Sequence, residues 1–302
     1  MPSRKLPSRI VLEVERAISD LRRGEPVLLE TQDKQRWSVM SGEHKPGAKA
    51  LTQASHPAVQ LMKFAGLLPR AIVQKVKAGA GKDLLKVTEK AIRHYPDTLA
   101  ASLTKVSEAH VPLANAKNTR IIAFRPRFGH EDHLAVVIGD PSKQKAPYVR
   151  VHSSCVTGDV FGSLRCDCGD QLHKAIAIMA RQKAGVVLYL SQEGRGIGIA
   201  SKLRAYELQD RGMDTVEANE ALGFAADERD FALASSMLKQ LHLKHITLIT
   251  NNPAKIEALE KNGIRVEKRI PLVTKVSAYN RRYLDTKAHK LGHCLSGACD
   301  TQ

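Results

Sequence analysis

Three cysteines stand in one short polar segment of the chain: Cys155, Cys166 and Cys168. Zinc prefers thiolate ligands, and a zinc ion with three protein ligands keeps a fourth position for water, whereas a structural site normally has four. Gly, Asp, Ser and Arg crowd residues 150–171 and are poor material for a core, which disfavours buried free thiols. A structural zinc site completed by His152 or His173 stays open beside a catalytic one. The spacing therefore predicts a metal site without fixing its kind.

A glycine-rich loop, Glu193-Gly194-Arg195-Gly196-Ile197-Gly198, follows an apolar run that is typical of a buried strand. Glycines let backbone N–H groups approach an anion at the start of a helix. The loop matches neither the dinucleotide fingerprint nor the Walker loop. Positive charge from Arg195, Lys202 and Arg204 nevertheless favours an anion site over a tight structural turn.

Two later segments carry further polar groups. In Thr250-Asn251-Asn252-Pro253 the last two residues suit the N-cap and first position of a helix, and Lys255 is the one hint of an anion nearby. A second charged segment is Asp227-Glu228-Arg229-Asp230. Such a cluster is typical of the solvent-exposed start of a helix, which accounts for its charges. A carboxylate beside an arginine near a metal and a phosphate would also serve proton transfer and charge stabilisation.

The elements around these groups indicate an α+β fold. Short β-like runs at 120–128, 133–140 and 147–154 suggest an antiparallel meander that leads into the cysteine segment. A helix is predicted over 171–182, and two strand–loop–helix units begin at 185 and 245. Strands that alternate with helices predict a mixed β-sheet covered by helices.

The first part of the chain shows no constellation of chemical groups. We predict a helix over 9–23, a strand over 26–30, a polar loop over 32–50, and helical patches at 58–64, 72–76 and 84–95. A domain junction within 107–120 divides the chain into an N-terminal α/β extension, residues 1–119, and a second domain, residues 120–302.

Composition restricts the partners. The 302 residues carry a net charge of +16, which favours polyanions. Aromatic residues are only 4% and do not alternate with basic ones, so specific nucleic-acid recognition is not expected. No apolar run is long enough for a membrane span, and the first ten residues lack a signal peptide's apolar segment. Five cysteines, three of them clustered, predict a cytoplasmic protein without a disulfide framework.

Four separate motifs carry a family resemblance: RVHSSCVTGDVFGSLRCDCGDQL, the run from SQEGRGIG to ADERDF, LITNNPAKIEAL, and YLDTKAHKLGH. Together, over about Arg120 to His293, they resemble GTP cyclohydrolase II of riboflavin biosynthesis. The resemblance implies a hydrolase that opens the guanine imidazole ring of GTP and releases formate, pyrophosphate and 2,5-diamino-6-(5-phosphoribosylamino)pyrimidin-4(3H)-one. It further implies one zinc ion per subunit, magnesium on the triphosphate and a homodimer.

The same resemblance implies roles for individual residues. Cys155, Cys166 and Cys168 would bind the zinc. Asp227 would accept a proton, Arg229 would be the nucleophile toward the α-phosphate, and Tyr206 would help to position the attacking water. GTP contacts are implied for Arg150, Val151, His152, Ser153, Ser154, Gln171, Glu193, Gly194, Arg195, Thr215, Thr250 and Lys255.

Two departures from the family pattern keep alternatives open. Ser154 stands where the family usually has Glu, and Ser191 stands where it commonly has Arg or another large residue. The alternative to an active enzyme is a catalytically weakened paralogue that binds nucleotide or a partner protein in a regulatory role. A zinc-stabilised nucleic-acid binder is favoured by charge alone.

The segment AISDLRRGEPVLLE is similar to the start of 3,4-dihydroxy-2-butanone 4-phosphate synthase, which is often fused to this cyclohydrolase. TQDKQRWS replaces the acidic loop that binds magnesium in that synthase. We therefore expect a degenerate, non-catalytic extension with a remnant or scaffold role.

Overall fold

The computed structural model describes residues 9–45, 47–77, 80–129 and 131–292. These residues form two compact units. The first unit contains the described residues up to Leu99, together with Ile197–Met213 and Glu217–Glu228. The second contains Ala100–Gly196, Asp214–Val216 and the described residues from Arg229 onward. His293, the last residue of the YLDTKAHKLGH motif, and the first eight residues lie outside the described part.

A four-stranded sheet with the order β3-β2-β1-β4 forms the centre of the first unit. Strand β1 pairs antiparallel with β2 and parallel with β4. In chain order the elements here are α1 (Arg9–Arg22), β1 (Val27–Glu30), β2 (Arg36–Ser41), α2 (Pro57–Phe64), β3 (Ala71–Lys75), β4 (Lys86–Thr88) and α3 (Glu89–Ser102). Helix α1 buries Val11, Val14, Ala17, Ile18 and Leu21 on one face, so its predicted helical period is confirmed.

Two predictions for this region are wrong, and a third, the helical patch at 84–95, is correct only from Glu89, where α3 follows β4. The segment 72–76, predicted to be helical, belongs to β3, because Ala71–Lys75 pairs with β2 over five residues. The segment 32–50, predicted as a loop, contains β2, in which Val39 is fully buried. A segment of five residues is too short to show a decisive period, so the pairing with a neighbouring strand decided its structure.

A seven-stranded mixed sheet with the order β11-β10-β8-β9-β7-β6-β5 forms the second unit. Its first elements are β5 (Thr104–His110), β6 (Thr119–Arg125), β7 (His133–Gly139), β8 (Tyr148–Ser153), α4 (Val156–Asp159), α5 (Cys168–Arg181) and β9 (Ala184–Leu190). The following elements, some of which belong to the first unit, are α6 (Gly198–Asp210), α7 (Thr215–Ala221), α8 (Ala232–Gln240), β10 (His245–Ile249), α9 (Pro253–Lys261), β11 (Arg265–Ile270) and α10 (Arg281–Leu291). The predicted α+β class with a helix-covered mixed sheet is confirmed.

The predicted meander is correct for β6 and β7 and wrong for the third strand. β8 does not pair with β7. It lies between β9 and β10 and is parallel to both. In the structure β8 is buried from Val149 to His152, and a strand buried on both faces is typical of the centre of a parallel arrangement.

Opposite faces of β8 and β9 have different neighbours. Val149, Val151, Val186 and Leu188 belong to the core cluster that also contains α8 residues such as Met237 and Leu238. Val187 belongs to the cluster formed with Ala175 and Met179 of α5. Side chains alternate along a strand, so Arg150 and His152 share the face of Val187 and Tyr189, toward α5. No helix in the described part of the chain is both long and apolar enough for a membrane span.

Candidate functional site

The three cysteines converge at the carboxyl end of β8. Their sulfur atoms all lie within 4.8 Å of one another, and the sulfur atoms of Cys155 and Cys166 are 3.7 Å apart. Cys155 immediately precedes the short helix α4, and Cys168 is the first residue of α5. The prediction that the Cys-Asp-Cys segment lies at a helix start is confirmed. The chain thus brings three thiols together from two loop ends.

Two glycines permit this close approach. A Cβ atom on Gly158 would lie 2.8 Å from the sulfur of Cys166 and 3.2 Å from that of Cys155. A Cβ atom on Gly169 would clash with the carbonyl oxygen of Gly158. Helix α4 and the start of α5 therefore pack backbone to backbone at the thiols.

The three neighbouring thiols form a donor set that a soft divalent cation prefers. The contact with Cys155 raises the pKa of the Cys166 thiol to about 11, and contact with both neighbouring thiols raises the pKa of Cys168 as well. Three thiolates this close are mutually repulsive unless a divalent metal ion neutralises them, and such an ion deprotonates a coordinating thiol. The donor set therefore fits zinc.

Asp159 fixes the Cys155 side of the cluster. Its carboxylate accepts the backbone N–H of Cys155 at 3.0 Å and the hydroxyl of Tyr189 at 2.9 Å. It also lies 3.2 Å from Nε2 of His152, whose ring stacks on Tyr189. Burial lowers the pKa of His152, so its ring is neutral near pH 7. Asp159, four residues after Cys155, thus fixes the backbone of the loop that follows β8.

Glu193 adds a second hold on the same loop. One carboxylate oxygen accepts the backbone N–H of Val156 at 2.6 Å, and the other accepts that of Gly194 at 2.9 Å. The predicted anion loop and the cysteine segment are therefore directly joined through the Glu193 side chain.

Asp167, between Cys166 and Cys168, fixes the other side of the cluster. It accepts hydrogen bonds from Lys287 Nζ at 2.8 Å, Thr274 Oγ1 at 2.8 Å and Gln171 Nε2 at 2.5 Å. Burial raises the pKa of the Asp167 carboxyl, but Lys287 and the other donors outweigh burial, and the pKa lies below its usual value. Asp167 is therefore ionised at neutral pH.

Arg150 connects this network to the sheet. It is only 5% exposed and donates to Gln171 Oε1, to the carbonyl oxygen of Ile249 at 3.3 Å and to Nδ1 of His152 at 3.4 Å. Burial lowers the pKa of Arg150 to about 10, which leaves the guanidinium charged at neutral pH. These three bonds use three of the five N–H donors of the guanidinium.

The glycine-rich loop makes a tight turn over Glu193–Gly196. Gly194 and Arg195 both have left-handed backbones, with φ of 61° and 63°. That conformation is ordinary for glycine and costly for other residues, so Arg195 is strained. Both terminal nitrogens of Arg195 are buried without a hydrogen-bond partner among the described residues, and its guanidinium faces the ring of Tyr283 at 5.8 Å.

Two cations face the ring of Phe231. The guanidinium carbon of Arg229 is 5.2 Å and Nζ of Lys255 is 5.4 Å from the ring centroid. Lys255 is buried and donates to the carbonyl oxygen of Val151 at 2.7 Å. The two residues predicted to meet the phosphates of GTP are therefore neighbours through one aromatic side chain.

The remaining predicted residues lie in different surroundings. Thr250 is buried, and its hydroxyl accepts the N–H of Asn252, which caps α9 as predicted. Ser153 has a buried hydroxyl without a partner in the described part of the chain, and the N–H of Ser154 donates to the carbonyl oxygen of Leu190. Thr215 is the first residue of α7. Asp227 is exposed. Nζ of Lys202 lies 5.8 Å from the ring centroid of Tyr206. Asp227 and Tyr206 both belong to the first unit.

Several residues at the site were not predicted from the sequence. Asp159 and Asp167 stand within the cysteine segment, so their proximity was visible but their roles were not. Tyr189 and Lys287 lie 30 and 120 residues away from their carboxylate partners. No spacing rule connects residues that far apart, and only the folded sheet brings them together.

A mixed sheet with a three-cysteine cluster at the end of a central strand defines a candidate metalloprotein. The family model for GTP cyclohydrolase II matches residues 104–271, more than half of the sequence. The chain belongs to the GTP cyclohydrolase II family.

Curated relatives agree with this assignment. The chain is 48% identical over 244 residues to GTP cyclohydrolase-2 of Azospirillum brasilense, covering 78% of this chain and 63% of that protein. It is 41% identical over 263 residues to the riboflavin biosynthesis protein RibBA of Endomicrobium trichonymphae, covering 82% of this chain and 65% of that protein. The chain thus spans a little under two thirds of the length of these relatives.

Among solved structures, a two-domain 3,4-dihydroxy-2-butanone 4-phosphate synthase, RibBX from A. baumannii, is 13% identical with a TM-score of 0.37. The match covers 87% of this chain and 99% of that chain. A likeness of this size supports no conclusion about function.

Proposed function

We propose that this protein is a zinc-dependent GTP cyclohydrolase II, which hydrolyses GTP to formate, pyrophosphate and 2,5-diamino-6-(5-phosphoribosylamino)pyrimidin-4(3H)-one in riboflavin biosynthesis. The main support is the convergence of three thiols within 4.8 Å inside the segment that matches the family. The named activities of the relatives point to the same reaction.

Cys155, Cys166 and Cys168 would hold the zinc ion. When bound by three protein ligands, zinc lowers the pKa of water in its open position and acts as a Lewis acid. Both ring nitrogens of His152, a candidate fourth ligand, are engaged by Asp159 and Arg150. His173 is exposed and does not belong to the cluster of possible metal ligands in the described residues. These placements favour a catalytic over a structural zinc site.

The other site residues would bind the nucleotide and move protons. Arg229 and Lys255, both beside Phe231, supply two positive charges for the triphosphate, with magnesium as its counter-ion. Asp227 would take a proton from the Arg229 guanidinium, whose nitrogen would then attack the α-phosphorus; the bond from that phosphorus to the bridging oxygen would break and pyrophosphate would leave. Water would then cleave the phosphorus–nitrogen bond and restore Arg229, and Tyr206 would orient the water that attacks the guanine ring. Arg195, whose terminal nitrogens lack partners in the described structure, is suited to a further anionic group of GTP.

The decisive experiment is incubation of the purified protein with GTP, zinc and magnesium, with formate and the diaminopyrimidine as readouts. We expect turnover in the parent protein. Cys166→Ser should lose zinc and ring opening together, whereas Arg229→Ala should keep zinc and lose turnover. A folded, zinc-loaded parent without turnover would rule out the cyclohydrolase function, and a fully active Arg229→Ala variant would remove that residue from the mechanism.

A second function keeps specific support. Ser154 and Ser191 depart from the family pattern beside the cysteine segment and the anion loop, and outer residues of a metal site can change activity about 10- to 100-fold. A catalytically weakened paralogue that binds nucleotide or a partner protein would bind GTP in the same assay and release no formate.

We further propose a scaffold role for residues 1–119, a cytoplasmic location and a homodimer. In the first unit Lys63 Nζ lies 2.5 Å from Glu228 Oε1, next to Asp227 in the chain. Arg204, on the helix that carries Tyr206, pairs with Glu43 at 2.7 Å. The extension thus contacts both segments with proposed catalytic residues in that unit. Butanone phosphate formation from ribulose 5-phosphate would contradict a purely structural role, and sedimentation would test the dimer.

A further inference from the structure

Helix α10 presents three side chains at positions i, i+4 and i+7, which lie on one face of a helix. Tyr283 faces the guanidinium of Arg195, Lys287 binds Asp167, and Lys290 pairs with Asp214. These three partners stand in the anion loop, between two of the cysteines, and directly before Thr215. The proposed function assigns no role to this helix, although it touches three loops of the site.

The central contact is a buried ion pair. Lys287 and Asp167 have side chains that are 8% and 1% exposed, and Nζ lies 2.8 Å from Oδ1. The ammonium group also lies 4.2 Å from the ring centroid of Tyr283. A buried charge that loses its partner is strongly destabilising, because neither water nor another ion replaces the lost interaction. This pair therefore ties α10 to the cysteine turn tightly.

The Asp167 carboxylate does not cap the helix at whose start it stands. It stands at the N-cap of α5, where aspartate commonly accepts a backbone N–H from the first turn, but its side chain makes no capping bond. Both oxygens are instead taken by Lys287, Thr274 and Gln171. Two of these donors belong to the chain's C-terminal part. An aspartate that only capped α5 would not need them.

We propose that Lys287 is a positioning residue for the metal-binding cysteines. It anchors the Asp167 carboxylate, and Asp167 is joined by peptide bonds to both Cys166 and Cys168. Rotation of the Asp167 backbone would move both sulfur atoms at once, so an anchored carboxylate fixes two of the three ligands. This inference rests on the proposed metal site and does not depend on the substrate.

The experiment measures zinc affinity by competition with a chromophoric chelator, on the full chain. We expect Lys287→Met to weaken zinc binding about 10- to 100-fold, as is usual for outer partners of metal ligands. The Co²⁺-substituted protein should show altered sulfur-to-cobalt charge-transfer bands, which a loss of general stability would not produce. Lys287→Arg, which keeps the charge, should recover part of the affinity.

Lys290→Met is the matched control, since it removes a lysine from the same helix. Lys290 is 44% exposed, and exposed ion pairs contribute little, so zinc affinity should stay within about two-fold. If Lys287→Met fails to fold, the double variant Asp167→Asn with Lys287→Met removes both charges and keeps a capping side chain at 167. We expect it to fold and to bind zinc more weakly than the parent.

The possible outcomes separate this inference from the proposed function. A parent protein that binds no zinc would overturn the metal site itself. A parent that binds zinc, with unchanged affinity and cobalt spectrum in folded Lys287→Met or in the double variant, would overturn only the role of Lys287. Equal losses in Lys287→Met and Lys290→Met would also overturn it, because the effect would then belong to the helix as a whole.

Discussion

At the scale of single residues, the absence of a side chain at Gly158 determines how closely the thiols approach. The glycine lies in α4 beneath the cluster, and any Cβ there would enter the space of two sulfur atoms. Its backbone needs no left-handed conformation, since Gly158 is absent from the residues with positive φ. The requirement for glycine is therefore steric and local to the cysteines.

We expect Gly158→Ala to reduce zinc affinity by at least about ten-fold, because the new methyl group would push Cys166 or Cys155 away. Chelator competition and zinc content per chain would measure the effect. Gly162→Ala is the matched control in the same loop. Its backbone is left-handed, with φ of 65° and no atom within 4 Å of an added Cβ, so it should cost roughly 1 kcal/mol of stability. Its zinc affinity should not change, and equal zinc loss in both variants would contradict the steric argument.

Single residues also show which parts of the site a sequence can reveal. The three cysteines lie within 14 positions of one another and have a chemistry that few other residues share, so their spacing alone predicted a cluster. Lys287 stands in the YLDTKAHKLGH motif, but the motif does not indicate which group this lysine, one of 47 lysines and arginines, contacts. Its role depends on the placement of α10, which requires the complete tertiary structure.

At the scale of elements, His133 joins the start of β7 to the loop after β9. Its Nδ1 accepts the backbone N–H of Ser191 at 3.1 Å, and the hydroxyl of Ser191 donates to the carbonyl oxygen of Asp132 at 2.7 Å. Burial lowers the pKa of His133 to about 4. Ser191, a departure from the family pattern, therefore takes part in a strand junction.

This junction should be sensitive to acid. In the unfolded chain His133 has a pKa near 6.5, so between pH 6.5 and 4 the unfolded state binds the additional proton and folding weakens as the pH falls. We expect His133→Gln, which keeps an acceptor and cannot titrate, to lose about 2 kcal/mol less stability than the parent between pH 7 and pH 5. Urea unfolding of both proteins at the same metal loading would measure this. Parallel losses in the two proteins would show that His133 does not contribute.

Two elements were misassigned because their structure depends on the strands with which they pair. The run at 72–76 is short and half-buried, and β8 is apolar on the face toward α8 while carrying Arg150 and His152 on the other. Longer elements with one regular period, such as α1 and α5, were predicted correctly. The partner strand of β8 could not be inferred, because its parallel neighbours begin about 35 and 100 residues later in the chain.

At the scale of the whole molecule, the first unit is built from three separate stretches of chain. Residues up to Leu99 cluster with Ile197–Met213 and Glu217–Glu228. The Lys63–Glu228 pair connects two of these stretches, with side chains that are 16% and 20% exposed. Glu228 also accepts the backbone N–H of Ala225 at 2.6 Å, so it orders the turn that precedes Asp227.

We expect Lys63→Met to lower kcat by up to about five-fold, because a partly exposed pair contributes about 0.2–1 kcal/mol and tenfold in rate corresponds to 1.36 kcal/mol. Zinc content should stay unchanged, since the cysteines belong to the other unit. The exchanged pair Lys63→Glu with Glu228→Lys should recover part of the rate. Lys49→Met, at an exposed lysine of the same unit, is the control. Full activity of Lys63→Met would contradict the scaffold role.

The 120 residues between Asp167 and Lys287 also set an order of events during synthesis. At about 5–20 residues per second, the cysteine turn leaves the ribosome roughly 6–24 seconds before the lysine that neutralises its carboxylate. Until then Asp167 has only water and its near neighbours as partners, and the Lys287–Asp167 contact cannot yet form. The ribosome therefore releases the three thiols before Lys287. Under the proposed role of Lys287, the metal site would be complete only after the chain has been synthesised as far as α10.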